Sequence, residues 1–234
     1  MCASTVSSKM LAAIAEVEGF LFNETLTGFK HIGSRAVELD QEGYRPLFLY
    51  EEAIGFCCGD VVHDKDGLTA AGVMTELILN TYQNGSNLAK HMQSLYAKYG
   101  EFCCNNGYFF CHDSSITQMI MAKIRNEGNY MESVGPYQVK SIRDLGYPGY
   151  DSSTEDKKPT LQVSKSSPMM TIQFSNGCTA QFRASGTEPK FKYYIEMQGQ
   201  PGVKRCIVQN DLEECSKILL NELLDPIQNG LIEP

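Results

Sequence analysis

The sequence predicts an α/β domain followed by an α+β domain. Up to about residue 125, stretches of helical periodicity alternate with short apolar runs, the pattern of strands and helices in layers. Beyond a polar, glycine-bearing stretch at 126–136 the chain turns to strands and hairpins, followed by one amphipathic helix. These observations place the boundary between about Glu127 and Pro136, giving domains 1–130 and 131–234.

Each element has a local reason. Ser4-Thr5 read as caps for a helix from Val6 to Glu18, closed by Gly19. Phe20-Leu21-Phe22 is a short apolar run, and Glu24 to Gly28 a polar turn. Phe29 to Leu39 has helical spacing, with Ile32, Ala36, Val37 and Leu39 on the apolar side; Gly33 weakens this helix without forbidding it. Pro46 to Tyr50 suits a buried strand. Asp66 caps a helix from Gly67 to about Tyr82, and another runs from Leu88 to Tyr99. Phe102 to Cys111 reads as a strand and Ser114 to Arg125 as a helix. In the second domain Tyr137 to Arg143 is a strand and Gly146 to Pro159 a loop. Met169 to Phe174 and Cys178 to Phe182 flank the hairpin signal Asn176-Gly177. Tyr193 to Met197 is the last strand, and Leu212 to Leu224 the closing helix.

Composition removes several classes of function. The 234 residues suffice for one large core or two modest ones. A formal charge of −8 argues against nonspecific binding to nucleic acid or to anionic membranes. No apolar run reaches transmembrane length, and the first residues lack the layout of a secretory signal. The nine cysteines include no C-x-x-C, and their odd number favours reduced, mostly buried thiols in a cytoplasmic protein. Cys111-His112 could donate to a metal, but nothing nearby completes a tetrahedral set.

Against that acidic background one segment stands out. Arg183-Ala184-Ser185-Gly186-Thr187-Glu188-Pro189-Lys190-Phe191-Lys192 gathers three cations, two hydroxyls and a glycine between strands. A phosphate dianion asks for cations, hydroxyl donors and a main chain bent so that amides converge. Gly186 is expected to supply the bend through a positive φ. A merely basic turn has the same composition, and Lys190 and Lys192 could be ordinary charges of an edge strand. Glu51-Glu52, directly after an apolar strand, sit where α/β sheets build sites.

Four segments in order resemble the C-terminal half of the α-D-phosphohexomutase family, in its phosphoglucomutase/phosphopentomutase and glucose-1,6-bisphosphate synthase branch. Glu24-Thr25-Leu26-Thr27-Gly28-Phe29-Lys30 resembles the third-domain loop facing the substrate. Tyr50-Glu51-Glu52-Ala53-Ile54-Gly55 resembles the sugar-recognition loop, commonly G-E-x-S-x-G. Asp64-Lys65-Asp66-Gly67 matches the K-D-G segment, and Arg183 to Lys192 the fourth-domain phosphate loop R-x-S-G-T-E-P-K. Gln228 to Ile232 also resembles that branch's C-terminus. The resemblance implies a partial third mutase domain of α/β type, followed by an α+β, TBP-like domain of antiparallel sheet and helices. It implies an isomerase in which a phosphoserine exchanges phosphoryl groups with sugar phosphates through a sugar bisphosphate, with Mg2+ beside the serine. By the same matching, Glu51, Ala53, Thr27, Gly28 and Lys65 face the sugar. Arg183, Ser185, Gly186 and Thr187 grip the phosphate not being transferred, with Lys190 and Lys192 in support. Lys65 has a competing reading as the partner of Asp64 or Asp66, and Lys30 and His31 are rim residues at most. Ala53 departs from the family's usual serine, removing one hydroxyl from the sugar loop.

Neither the family's Thr-x-Ser-His-Asn-Pro phosphoserine loop nor its Asp-x-Asp-x-Asp-Arg magnesium loop occurs in these 234 residues. The expectation is therefore a C-terminal portion of a mutase whose N-terminal half, with serine and metal, lies outside this sequence. A free-standing, catalytically inactive sugar-phosphate-binding module is the alternative. Exposed apolar surface on the first domain would favour the former.

Overall fold

The computed structural model describes every residue except Thr187, so the expectation for that residue lies outside the described residues. The chain forms two compact units. Residues 1–100 with 200–202 make the first, and residues 101–199 with 203–234 the second. The boundary thus falls about thirty residues earlier than the composition change suggested. The reason is pairing: the strand Phe102–Phe110 hydrogen-bonds along its whole length to Lys190–Gln198, which commits it and the helix after it to the second unit.

The first unit is an α/β layer structure. Its strands are β1 (Cys2–Ser4), β2 (Asn23–Thr25), β3 (Phe48–Glu51) and β4 (Gly55–Cys58), in the order β2-β1-β3-β4. β1 runs parallel to both neighbours, and β3 turns back on itself into β4. Its helices are α1 (Met10–Glu18), α2 (Phe29–Gln41), α3 (Gly67–Gln83) and α4 (Leu88–Tyr99). The helix expected from Val6 starts only at Met10, because Cys2–Ser4 is an interior strand and Ser4 and Thr5 are buried at its carboxyl end instead of capping. Likewise Thr25, read as turn, closes β2. Asp66 caps α3 as expected, its carboxylate accepting from the Leu68 amide at 2.9 Å. The core is small: Phe29, Ile32, Ala36 and Leu39 of α2 meet Cys2, Leu49 and Cys57 of the sheet. α3 carries its apolar residues mostly outward, and only Thr81 on it is buried.

The second unit is α+β. Its sheet runs β5 (Phe102–Phe110), β11 (Lys190–Gln198), β10 (Cys178–Ala184), β9 (Met169–Phe174), β7 (Tyr137–Asp144), β6 (Ser133–Val134), with β8 (Tyr150–Asp151) paired to β7. All these pairings are antiparallel. Gly177 turns the β9–β10 hairpin with φ 90°. α5 (Ser114–Arg125) and α6 (Arg205–Leu219) complete the unit, and a π-helical turn extends α6 to Leu224. α6 begins seven residues before the expected Leu212, and the loop expected over Gly146 to Pro159 contains β8. Cys178, Ala180 and Phe182 point into a core with Ile172, Phe191, Ile195 and the buried face of α6. Among the described residues no helix is long and apolar enough to cross a membrane. All nine cysteines are free thiols, six of them buried.

Candidate functional site

In the first unit the parallel register does the assembling. Ser4 stands beside Thr25, and Ala3 beside Tyr50, so β1, β2 and β3 end at one edge of the sheet. The segments leaving that edge are Thr5–Ser7, Leu26–Gly28 and Glu51–Glu52, the position at which open α/β sheets bind ligands. Gly28 enters α2 with φ 103° and ψ 128°, a backbone that side chains resist, and so brings Phe29 straight into the core.

The two adjacent acids have different fates. Glu52 is held inward: its Oε2 accepts from Ser4 Oγ at 3.0 Å, and its amide donates to Ser7 Oγ at 3.1 Å. The Glu51 carboxylate has no hydrogen-bond partner among the described residues. Burial, reinforced by the negative charges of Glu52 and Asp64 and opposed by Lys65, raises its pKa above the usual carboxylate value. Its side chain and that of Lys65 both cross Gly55, where a Cβ would fall 2.7 Å from Glu51 Cγ and 3.1 Å from Lys65 Cδ. Only glycine leaves room for both. Lys65 Nζ lies 4.9 Å from the centre of the Phe29 ring and 3.0 Å from Asp64 Oδ1. The competing salt-bridge reading of Lys65 is therefore realised, and it coexists with placement beside Glu51. Ala53 is exposed at the tip of the β3–β4 turn. Next to it Ile54 has φ 62°, a costly conformation for a β-branched residue and one typical of strained recognition loops. Thr27 is half-buried beside Gly28.

Sequence reasoning missed Ser4, Ser7 and a neighbouring set at the same edge. Lys9 pairs with Glu24, donates to the Thr5 carbonyl at 2.6 Å, and Thr5 Oγ1 donates to Glu24 at 3.2 Å. The three-residue strand before them is too short for any periodicity to reveal.

The basic segment of the second unit forms the β10–β11 connection. Arg183 pairs across the ladder with Lys192, and Lys192 with Tyr108, which puts all three in one row on the sheet face opposite the core residues Phe182 and Phe191. β11 lies between β5 and β10, so Lys190 and Lys192 are not edge-strand charges. The turn is closed without a positive φ at Gly186, contrary to expectation. Its bonds come from Ser185, whose amide donates to the Lys190 carbonyl at 2.9 Å and whose Oγ accepts from the Glu188 amide at 3.2 Å. At Gly186 a side chain would point toward Ser167 Cβ, 3.7 Å away.

The cations of the segment differ in availability. Lys190 Nζ is 2.8 Å from Glu188 Oε1 and lies over Tyr108 at 4.6 Å, and Lys192 reaches the same carboxylate at 4.0 Å. The Lys190 ammonium lowers the Glu188 pKa, and Glu188 raises that of Lys190. Arg183 has no carboxylate partner among the described residues; its Nε meets Ser167 Oγ at 3.4 Å. Ser185, Glu188 and Lys190 line a pocket of about 220 Å³ with Ser114 and Lys165, which sequence reasoning did not select, and His112, which it weighed only as a metal donor. The Ser- and Lys-rich run just before β9 was the available signal. No group of three metal-ligating side chains occurs among the described residues. Asp64 is engaged by Lys65 and Asp66 by the start of α3, so these carboxylates do not fit a divalent cation.

Residues 1–99 match the family model "Phosphoglucomutase/phosphomannomutase, alpha/beta/alpha domain III". The whole chain is 43% identical to the human phosphopentomutase over 237 residues, and 99% of it aligns at 42% identity with the human glucose 1,6-bisphosphate synthase. A probable phosphoribomutase of Schizosaccharomyces pombe is 36% identical over 99% of the chain. The chain spans 37–39% of the length of these relatives. Among solved structures, Paramecium parafusin, a phosphoglucomutase in an open form, superposes with a TM-score of 0.70 at 19% identity, covering 100% of this chain and 39% of that one. Residues 1–99 thus match a domain of phosphoglucomutases and phosphomannomutases, and the chain as a whole is similar to the C-terminal part of phosphopentomutase, glucose 1,6-bisphosphate synthase and phosphoribomutase.

Proposed function

We propose that this chain provides sugar and phosphate recognition for an intramolecular phosphotransferase of the phosphoglucomutase/phosphopentomutase type. Such an enzyme interconverts sugar 1-phosphates with 6- or 5-phosphates through a bisphosphate. The observation that carries the reading is the meeting of Glu51 and Lys65 over Gly55 beside Phe29, since these residues come from three separated stretches that the family uses for its sugar. Glu51, lacking a protein partner, accepts hydrogen bonds from sugar hydroxyls, with Lys65 and the Thr27-Gly28 backbone alongside. Arg183 presents a planar fork to the phosphate that stays in place, and Ser185, Gly186 and Thr187 supply the rest of the loop. Lys190 and Lys192, partly neutralised by Glu188, contribute field more than contact.

Moving a phosphoryl group also needs a nucleophile and neutralisation of the group in flight. No step through a metal is assigned to the residues described above; phosphoserine and Mg2+ belong to the N-terminal portion that the relatives carry. The outward face of α3 supports this reading. Leu68 is 87% exposed and Leu79 55%, with Val73, Met74 and Tyr82 also exposed, more apolar surface than one solvated helix usually shows. That apolar surface suits burial against a portion of the enzyme outside these residues.

Calorimetric titration with α-D-glucose 1-phosphate tests the site. Arg183→Ala should weaken binding by about tenfold or more and Lys190→Ala by about threefold or less, because only arginine offers bidentate contact. Equal losses would refute the assignment of the loop. Turnover by this polypeptide alone would refute the division of labour.

A further inference from the structure

We propose that the segment Ser164–Ser167 is a second jaw of the phosphate site, with Lys165 contacting the anion and Ser167 positioning Arg183. The inference rests on the phosphate reading of the β10–β11 connection. Its ground is the way the segment is tied at both ends. Upstream, the Ser164 amide donates to the Leu145 carbonyl at 2.8 Å, and Leu145 is buried and itself donates to Met169. Within the segment, the Ser167 amide donates to Ser164 Oγ at 3.1 Å. Downstream, the Ala184 amide donates to the Pro168 carbonyl at 3.2 Å. The segment is thus fastened to the base of the phosphate loop.

Ser167 then stands where it can orient the arginine. Its single hydroxyl proton goes to the Ala184 carbonyl at 2.9 Å, which turns a lone pair toward Arg183 Nε at 3.4 Å. With Nε directed at serine, both terminal nitrogens of the guanidinium remain for a ligand. An arginine with no carboxylate to hold it otherwise samples many rotamers, and Ser167 reduces that loss on binding.

Lys165 lines the same pocket as Ser185 and Lys190. Among the described residues it has no carboxylate partner, and its ammonium rests 4.2 Å from the centre of the Tyr147 ring. An aromatic face steers a cation without neutralising it. Lys190, which lines the same pocket, is tied to Glu188. Lys165, on the pocket wall, and Arg183, near the end of β10, are therefore cations of different segments without a carboxylate partner among the described residues. An anion at Ser185 would draw on both charges.

The test uses the full chain and inorganic phosphate as probe, with binding followed by 31P NMR at low ionic strength. Lys165→Met keeps the stem and removes the charge; it should weaken binding by about five- to tenfold and reduce the salt dependence. Ser167→Ala should weaken binding by about threefold or more in the parent but not further in an Arg183→Ala background, while Ser167→Thr keeps binding near the parent level. Unchanged binding in Lys165→Met, or equal Ser167→Ala losses with and without Arg183, overturns the second jaw even if Arg183→Ala weakens binding as expected. Phosphate binding left unchanged by Arg183→Ala overturns the loop reading instead. Lys165 is exposed, so its substitution leaves the fold intact, and Ser167→Thr controls for the partly buried contact.

Discussion

The two units put their proposed recognition residues on foundations of very different depth. In the second, the β10–β11 connection joins two adjacent inner strands of the sheet, and 24 buried residues form one core beneath them. In the first, a core of seven residues supports four short strands, and a 17-residue helix lies against it with one buried residue. Burial of apolar area is the main source of stability, so the second unit should hold its loop nearly rigid while the first is marginal by itself. On the proposed function the difference matches two tasks: the deeper foundation suits a fixed phosphate grip, and the shallower one a more yielding edge for the sugar.

The comparison is broken most directly by Phe182→Ala. Phe182 is fully buried and stacks near Phe191, with ring centres 6.4 Å apart. Its truncation should cost about 3–5 kcal/mol, all of it in the second unit. Hydrogen exchange on the whole chain should show β9–β11 losing protection while α3, which buries only Thr81, does not change. A uniform loss across both units would mean that they unfold as one body. Next in size is Arg125→Ala. Arg125 donates to the buried Asp144 from Nε at 2.6 Å and Nη2 at 3.0 Å, and Tyr130 and the Gly146 amide bond the same carboxylate. Leaving that charge half-satisfied should cost about 3 kcal/mol, read as a lower denaturant midpoint for the second unit only. A loss under about 1 kcal/mol would mean that Tyr130 and Gly146 suffice.

Much of this was legible beforehand, for reasons that can be named. Asp66, Asn176-Gly177 and the α2 periodicity act over a few residues, so their outcome was visible in the sequence. Pairing partners are not local. β5 reads as the next strand of an alternating α/β series, and only its match to β11 assigns it to the second unit. Gly33 shows the same limit. In sequence it is a weak helix residue; in the fold a Cβ there would lie 2.1 Å from the His63 carbonyl oxygen, so the loop that carries Lys65 could not approach α2. At the sites, residue types pointed to Glu51 and Arg183 and the family resemblance to Lys65, but not to which charges are already engaged. That depended on Glu188, which neutralises Lys190, and on Ser4 and Ser7, which hold Glu52 and leave Glu51 available.

The smallest expected effect concerns that availability. Burial first, then repulsion by Glu52, holds the Glu51 pKa above its ordinary value. Between the ordinary and the raised value the native state keeps a proton that the unfolded chain releases, so stability falls as pH rises through that window. Above the window the cost of the ionised group is complete, and below it the cost vanishes. Glu51→Gln should therefore raise the melting temperature of the first unit at pH 7 by about 1–3 °C, and the gain should close below about pH 4. The second unit offers the contrast, since Glu188 is shifted the other way by Lys190 but is exposed, and its neutralisation should leave stability almost unchanged. A variant less stable than the parent at pH 7 would mean that Glu51 is held by attraction to Lys65. The carboxylate would then be a structural ion pair and not a group kept charged, at a cost to stability, for a sugar.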